Sequence, residues 1–205
     1  MSDAEVVKLA SATREPMLAT LVLVLAHGGL RWSEAIGLRV QDVNMLRRRL
    51  HANRAAVEVE GVIEVGPPKS WEKRTVPFPG FLVEPLESLT ANKAPSDLVF
   101  ANDAGGYLRR AKTDEAAGSW FARAVTATGI ERIAPHDLRH TAASLAIASG
   151  AHVKAVQRML GHKSAAMTLD TYADLFDDDV DDVATRLNER AVAADVGKTW
   201  AGAVS

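Results

Sequence analysis

The sequence predicts a mostly helical α+β domain in which a small three-stranded antiparallel sheet packs on the helices. Apolar residues recur at helical spacing towards both ends of the chain, whereas β-branched runs broken by glycine and proline are confined to residues 50–77. There is no internal repeat and no linker-like stretch. With 205 residues, of which 47% are hydrophobic, the chain can bury a sizeable core as one large domain or two small ones.

Two helices are predicted near the N-terminus. Ser2 and Glu5 have the spacing of a capping box, which favours a first helix through about residue 10. The run MLATLVLVLA, residues 17–26, is apolar almost all round, which is typical of a buried central helix, and the glycines at 28–29 end it. This run is too short to span a bilayer and no signal-cleavage pattern accompanies it, so we expect a cytoplasmic protein with no membrane partner.

A short helix over residues 33–38 follows, and it would place Arg31 close to Glu34. An arginine held between two buried helices is costly to desolvate unless it meets an anion or pairs with a carboxylate. Two interpretations therefore stay open from these residues alone. Either Arg31 binds an anionic ligand, or Arg31 and Glu34 form an ion pair that ties a turn.

The sheet is predicted from three strand-like runs: LHANRAAVEV, GVIEV and RTVPF. Glycine and proline residues separate these runs. The second turn carries Lys69, Lys73 and Arg74 around Trp71. A charged hairpin is usually a solvated sheet edge, since lysine on an edge strand also prevents aggregation, and binding of an anionic partner is the alternative.

Two further helices are predicted in the middle of the chain, over residues 81–90 and 115–128. A turn at residues 94–96 and a short apolar run, LVFA, lie between them. The second of these helices is amphipathic, and its Trp120 and Phe121 are most simply explained as core residues.

A cluster of basic side chains begins the next predicted helix. His136, Arg139 and His140 stand three and four residues apart, so on a helix they share one face and can address one ligand. Pro135 and Gly150 have the positions of helix start and stop signals.

Another helix is predicted to end at Gly161, where a residue with positive φ would cap it, so that His162 leaves the helix at a fixed point. Tyr172 follows ten residues later on a short separate helix, and its hydroxyl could return to the basic cluster. Beyond it, the run DLFDDD precedes an apolar-periodic segment, residues 180–192. Aspartates at this place favour a helix start through the helix dipole.

These motifs resemble those of a known family. HDLRHTAAS, LGHKS and the downstream tyrosine are similar to the C-terminal signature of the tyrosine recombinases of the phage integrase type. GLRWSEAIGL resembles the first arginine motif of that family, and PPKSWEKRTVPFP resembles its lysine-bearing hairpin. The resemblance covers roughly residues 2–187. It implies the integrase-like DNA breaking-rejoining fold and a site-specific DNA recombinase that integrates or excises a mobile element.

The resemblance implies a catalytic set without a metal or cofactor; the set is Arg31, Lys69, His136, Arg139, His162 and Tyr172, with Glu34 and His140 as supporting residues. The tyrosine is then the nucleophile that forms a 3′-phosphotyrosyl link. The two arginines can each fork two N–H bonds onto nonbridging phosphate oxygens. The lysine, with Lys73 as the fallback, protonates the leaving 5′-oxygen. His136 would accept or donate a proton near the phosphate, and His162 would donate a hydrogen bond to it.

The same resemblance implies a domain organisation. Residues 1–178 are expected to form the catalytic domain, and residues 179–205 a helix and tail that can be exchanged between protomers. The N-terminal core-binding domain that usually precedes this domain in the family is expected to be absent. The implied partner is double-stranded DNA, bound by a tetramer on two DNA sites, with a monomer in isolation and an accessory DNA-bending protein as further expectations.

The charge distribution neither proves nor excludes DNA binding. The net charge is −2, but the chain through Tyr172 carries 21 Lys and Arg against 18 Asp and Glu, and the remainder carries 3 against 8. Most of the acidity therefore lies in the tail, and the body is mildly basic. We expect a DNA-associated protein in the cytoplasm of a bacterial host.

Three other functions stay open: a non-catalytic DNA-binding module, a relaxing enzyme resembling type IB topoisomerases, and a zinc hydrolase. His136 and His140 have the i, i+4 spacing of a helical zinc motif. However, Asp137 stands where that motif has glutamate, and Arg139 would place a positive charge beside the metal. A convincing third ligand is missing from the sequence, although His162 could be proposed. Thiolate chemistry is excluded because the chain has no cysteine.

Overall fold

The computed structural model describes residues 1–68, 73–111, 113, 118–173 and 179–194. The helices are α1 (Asp3–Ala12), α2 (Pro16–Gly28), α3 (Trp32–Ile36), α4 (Val83–Thr90), α5 (Trp120–Thr128), α6 (Asp137–Ala148), α7 (Val153–Leu160), α8 (Ala165–Tyr172) and α9 (Asp179–Ala193). The strands are β1 (Val43–Asn44), β2 (Arg49–Ala52), β3 (Ala55–Val59), β4 (Val62–Gly66) and β5 (Arg74–Pro77). The mostly helical α+β fold expected from the sequence is confirmed.

The centre of the fold is α2, which packs against α1 on one side and α6 on another. Leu21, Val24 and Leu25 of this helix are buried, as its nearly uniform apolar sequence predicts. The capping box at the start of α1 is also present: the Ser2 amide donates to the Glu5 carboxylate (2.8 Å), and the Glu5 amide donates to the Ser2 hydroxyl (3.3 Å). The apolar core includes these N-terminal helices and continues into α5, α6, α7 and α8.

The strand pairing differs from the prediction. The run LHANRAAVEV does not form one strand; it divides into β2 and β3, which belong to different sheets. The three-stranded sheet has the order β1-β2-β5, and β3 and β4 form a separate antiparallel hairpin. The cause lies at residues 53–54: Asn53 donates to the buried carboxylate of Asp42 (2.9 Å), and Arg54 also pairs with it. These contacts divert the chain after β2.

The pairing of β2 with β5 determines where the end of the lysine-bearing segment lies. The strands are antiparallel, with Leu50 opposite Val76 and Ala52 opposite Arg74. Arg74 therefore stands at the start of β5, on the same side of the strand as the buried Val76. Lys69 itself lies outside the described residues.

Both helices of the middle segment begin later than predicted. A 3-10 turn at residues 80–82 precedes α4, so Phe81 lies before the helix and is exposed. The helix expected from residue 115 begins at Trp120, because Gly118 has a φ of 68° and interrupts helical geometry ahead of it. Residues 114–117 lie outside the described part of the chain.

The C-terminal helices confirm the predicted boundaries around the basic cluster. α6 begins one residue after His136, α7 ends at Leu160, and Gly161 caps it with a φ of 65°. α8 is a separate short helix that ends at Tyr172. Among the helices that the structure describes, none has the length and apolar character required to cross a membrane.

Candidate active site

The corner between α2 and α3 positions Arg31. Gly29 ends α2 with a φ of 66°, and a Cβ atom at this position would stand 2.9 Å from the Leu160 side chain, so the corner requires glycine on both grounds. Arg31 follows as the N-cap of α3. The Glu34 carboxylate accepts a hydrogen bond from the Arg31 amide (2.7 Å) and one from its guanidinium (2.9 Å). The predicted proximity of these two residues is confirmed.

A second guanidinium binds the same carboxylate. Nη1 and Nη2 of Arg74 donate to the two oxygens of Glu34 at 2.5 and 2.6 Å, which is a bidentate pair. The Glu34 side chain is fully buried. Burial alone would raise the pKa of Glu34, but the hydrogen bonds and charges of Arg74 and Arg31 outweigh burial and lower that pKa below its ordinary value. Glu34 is therefore a buried carboxylate between two arginines.

Arg139 provides a third guanidinium from the first turn of α6. It is 5% exposed, and it donates to two backbone carbonyls, those of Gly29 and Leu160. Burial first, and then the charges of Arg31 and Arg74, lower the pKa of Arg139 to about 10, so it is still a cation at neutral pH. Arg31 and Arg74 share Glu34, and Arg74 and Arg139 bind the adjacent carbonyls of residues 159 and 160, so the three guanidinium groups occupy one region of the molecule.

Backbone carbonyls at the C-terminal end of α7 accept hydrogen bonds from two of these arginines. Nε of Arg74 donates to the Met159 carbonyl (3.0 Å), next to the Leu160 carbonyl that Arg139 binds. Carbonyls at a helix C-terminus carry partial negative charge and favour cations. Gly161 leaves room for this arrangement, since a Cβ atom there would lie 2.8 Å from Cδ of Arg74. The end of α7 thus brings together side chains that are far apart in the sequence.

His162 comes directly after this helix end. Its backbone amide donates to the Gln157 carbonyl (3.1 Å), and its carbonyl accepts from the Gln157 side chain (3.0 Å). Its ring nitrogen Nδ1 lies 2.9 Å from the hydroxyl of Thr168. Burial, followed by the charges of Arg139, Arg31 and Arg74, lowers the pKa of His162 to about 4. The imidazole is therefore neutral at pH 7.

Tyr172 faces the basic cluster. Its hydroxyl lies 2.8 Å from Nδ1 of His140, and the His140 ring in turn meets the His136 ring edge to face at 5.3 Å between centroids. Tyr172 is 5% exposed, and burial raises its pKa, an effect that Arg139 only partly offsets. Burial, together with the charges of His140 and Arg139, lowers the pKa of His136. In this arrangement Tyr172 is a neutral phenol within hydrogen-bond distance of the His140 ring.

Most of the residues singled out in the sequence come together; those near one another are Arg31, Glu34, His136, Arg139, His140, His162 and Tyr172. His140, expected to be a supporting residue, contacts the Tyr172 hydroxyl directly. Lys69 is not among the described residues, and Lys73 is exposed.

Arg74 is the functional residue that sequence reasoning missed. The sequence suggests only a basic residue of the second turn of the sheet, but the Arg74 side chain is 8% exposed and binds Glu34. The alternation of RTVP carried a usable signal, since it places Arg74 on the buried side with Val76, where an arginine requires a carboxylate partner. For the zinc alternative, no group of three potential metal-ligating side chains lies together in the described part of the chain.

The phage integrase family model matches residues 1–178, which include every residue of this cluster. The chain belongs to the phage integrase family. Among curated members, it is 33% identical over 157 residues to the tyrosine recombinase XerD of Corynebacterium glutamicum, covering 72% of this chain and 45% of that protein. It is 29% identical over 175 residues to transposase A from transposon Tn554 of Staphylococcus aureus, covering 83% and 47%. The chain thus spans about half the length of the curated relatives it matches.

Solved structures of integrases share the fold. The Tn1549 transposon integrase in complex with transposon right end DNA superposes with a TM-score of 0.73 at 21% identity, covering 92% of this chain and 65% of that one. The catalytic domain of bacteriophage HP1 integrase gives a TM-score of 0.57 at 25% identity, covering 85% and 86%. This integrase-family fold therefore agrees with the fold class that the motifs implied.

Proposed function

We propose that this chain is the catalytic domain of a site-specific DNA recombinase, residues 1–178, which cleaves and rejoins DNA through a 3′-phosphotyrosyl intermediate during integration or excision of a mobile element. The observation that carries the proposal is the position of Tyr172, whose hydroxyl contacts His140 close to the buried Arg139. Family membership supports the same chemistry. The substrate is double-stranded DNA, in the cytoplasm of a bacterial host.

The arginines have the charge that a phosphodiester requires. Arg31, Arg74 and Arg139 carry three positive charges, and Glu34 neutralises one of them. The surplus favours an anion with one negative charge and stabilises the additional negative charge that develops on the phosphate in the transition state. In this proposal Arg31 and Arg139 contact the nonbridging oxygens, whereas Arg74 binds Glu34 and does not touch the phosphate.

Tyr172 supplies the nucleophile. Ionising a free phenol at pH 7 costs roughly 4 kcal/mol, and burial adds to this cost here. The proton therefore leaves as the oxygen attacks, with Nδ1 of His140 as the acceptor. The tyrosyl O–P bond forms and the P–O5′ bond breaks, while the 5′-oxygen takes a proton from Lys69. A 5′-hydroxyl of another strand reverses these steps and reseals the DNA.

The two neutral histidines complete the proposed site. His162 donates a hydrogen bond to a phosphate oxygen, and His136, whose ring meets His140, accepts or returns a proton near the phosphate. A neutral imidazole is suited to both tasks because it carries one N–H donor and one lone pair.

A basic cleft next to His162 supports DNA as the partner. This cleft is an open cavity of about 530 Å³, lined in part by Lys154, Arg158, Lys163 and Arg74, and none of its lining residues is acidic. The first three of these residues are exposed. We expect them to contact the phosphates that flank the scissile one, which makes binding weaken steeply as salt increases.

The assembly is also part of the proposal. Exposed Leu187 and Val192 on α9 provide apolar contacts that a second protomer can cover. We propose that residues 179–205 pack against a neighbouring protomer in a tetramer on two DNA sites, with an accessory DNA-bending protein where the sites require it. If deletion of residues after 178 left cooperative assembly on DNA unchanged, this part of the proposal would be withdrawn.

The central test uses nicked duplex DNA that traps a covalent protein–DNA adduct. Wild type is expected to give an adduct that resists denaturation, and Tyr172→Phe is expected to give none. Tyr107→Phe, at the other tyrosine of the chain, is the matched control and should behave as wild type. Absence of an adduct from wild type would favour a non-catalytic DNA-binding module. Activity that is lost with EDTA and restored by zinc would favour the hydrolase, and relaxation of supercoiled DNA without strand exchange would favour the topoisomerase-like alternative.

A further inference from the structure

Thr168 lies in the middle of α8 and has no part in the chemistry described above. It is fully buried, and its hydroxyl lies 2.9 Å from Nδ1 of His162. A buried hydroxyl requires a hydrogen-bond partner, because leaving it unpaired costs the free energy of its lost hydration. The contact with His162 therefore determines what each of the two groups can do.

The hydroxyl of Thr168 differs from those of its helical neighbours. Helical threonines commonly donate to the carbonyl four residues earlier, as Thr171 does to Met167 (2.8 Å) and Thr141 does to Asp137 (3.0 Å). Thr168 makes no such bond, and among the described residues His162 is the partner of its hydroxyl. Among the described residues, Nδ1 of His162 is therefore the acceptor available to the hydroxyl proton of Thr168.

The direction of this hydrogen bond decides which nitrogen of His162 carries a proton. A neutral imidazole has one N–H group and one lone pair. If Nδ1 accepts from Thr168, the proton must be on Nε2, which is then a donor. With the opposite tautomer, Nε2 would present a lone pair to the phosphate oxygen and repel it.

We propose that Thr168 is a positioning residue for His162: its hydroxyl donates to Nδ1 and keeps the imidazole proton on Nε2, where it can be donated to the scissile phosphate. This inference rests on the proposed recombinase function. The backbone of His162 is already fixed by Gln157, so the hydroxyl of Thr168 adds the orientation of the ring and the position of its proton.

The position of Thr168 also connects His162 to the nucleophile. Thr168 and Tyr172 are four residues apart on α8, and both side chains are buried. One short helix thus carries the group that attacks the phosphate and the group that orients a donor to it. When α8 is in place, both are in place; when α8 moves away, His162 loses its orientation as the tyrosine leaves.

The tautomer can be measured directly. The full chain, labelled with ¹⁵N at histidine, is studied by long-range ¹H–¹⁵N correlation at pH 7, and His162→Gln identifies the His162 signals. Wild type and Thr168→Ser are expected to show the Nε2–H form, with a protonated-type Nε2 and a lone-pair-type Nδ1. Thr168→Val, which replaces the hydroxyl with a methyl group and keeps the branched shape, is expected to move both signals towards the average of two tautomers. Thr171→Val, on the same helix, should leave them unchanged.

Adduct formation on nicked DNA provides the second measurement. Thr168→Val is expected to slow the step by about tenfold, the effect of one hydrogen bond, and Thr168→Ser to restore it. An Nδ1–H tautomer in wild type, or unchanged His162 signals in Thr168→Val, would overturn the proposal. The spectra report the tautomer whether or not DNA is cleaved, so an inactive wild type would count against the proposed function and leave the spectra to decide the role of Thr168.

Discussion

Removal of Arg74 tests whether a buried ion pair holds the site together. In Arg74→Ala, Glu34 keeps its contact with Arg31 but loses a bidentate partner in a fully buried position. Breaking a buried pair costs about 3–5 kcal/mol, and the remaining contact with Arg31 places the loss at the lower end. The Met159 carbonyl also loses its donor, which costs about 1 kcal/mol. The expected total is about 4 kcal/mol of unfolding free energy.

The chain contains a matched control for this experiment. Arg109 pairs with Glu58 at 2.5 Å, the same distance as between Arg74 and Glu34, but the Arg109 side chain is 68% exposed. Exposed ion pairs contribute less than about 1 kcal/mol, so Arg109→Ala should be close to wild type. Urea denaturation followed by circular dichroism measures both variants. For a protein of this size, the loss in Arg74→Ala corresponds to a fall in Tm of roughly 8–16 °C.

Two outcomes would refute this account of Arg74. One is an equal loss of stability in Arg74→Ala and Arg109→Ala, which would mean that burial is irrelevant. The other concerns the double variant Arg74→Met with Glu34→Gln. It should be more stable than Arg74→Met alone, because it no longer buries a carboxylate with too few partners; equal stability would refute the account.

The pH dependence of stability has a defined sign. The pKa of Glu34 is lower in the folded protein than its ordinary value of 4.5, so the ionised carboxylate stabilises the fold at pH values above 4.5, and this contribution is lost as the pH falls further.

Three further predictions concern the surroundings of the site. The pKa of His162 is lowered to about 4 in the folded protein, so as the pH decreases the His162 side chain takes up a proton in the unfolded chain first. The free energy of unfolding should therefore fall as the pH decreases from about 6.5 towards 4, and His162→Gln should make this fall smaller in denaturation measured as a function of pH. Gly161→Ala should destabilise the protein more than Gly129→Ala. Both positions have a positive φ, at which alanine costs about 1–2 kcal/mol, but only at residue 161 would the new methyl group also meet a side chain, that of Arg74 at 2.8 Å. Equal losses in thermal denaturation would contradict this. Replacing Lys154 or Lys163 by alanine should weaken DNA binding alike on all sequences and reduce the slope of log K against log salt by about 1; an unchanged slope in a titration series would remove that residue from the DNA contact.

The helices could be predicted from the sequence because their signals are local. The apolar run of α2, the capping box at Ser2 and the glycine at position 161 each act within a few residues. The sheet could not be predicted in the same way. The pairing of β2 with β5, across more than twenty residues, and the break caused by Asp42 both depend on contacts between distant parts of the chain. Strand-like composition identified the region but not the partners.

That most of these side chains would lie together was predictable because their motifs have specific spacings. The helical positions of His136 and Arg139, and the tyrosine ten residues beyond His162, were sufficient to suggest a common ligand. Arg74 and Thr168 escaped notice because an arginine in a strand and a threonine in a helix have many ordinary explanations. The contact of each with a buried group distinguishes it, and only Arg74 also had a signal in the sequence, the alternation of its strand.

The end of α7 determines when, during synthesis of the chain, the cluster of arginines can form. Its two carbonyl groups accept hydrogen bonds from Arg74 and Arg139, which are both made before α7, and Tyr172 is made after it. A nascent chain that ends before α7 therefore carries these arginines without the carbonyl groups at which they converge, and without Tyr172. If the chain acts as we propose, a half-made molecule lacks both the complete phosphate site and its nucleophile, and it becomes able to cut DNA only when synthesis has passed Tyr172.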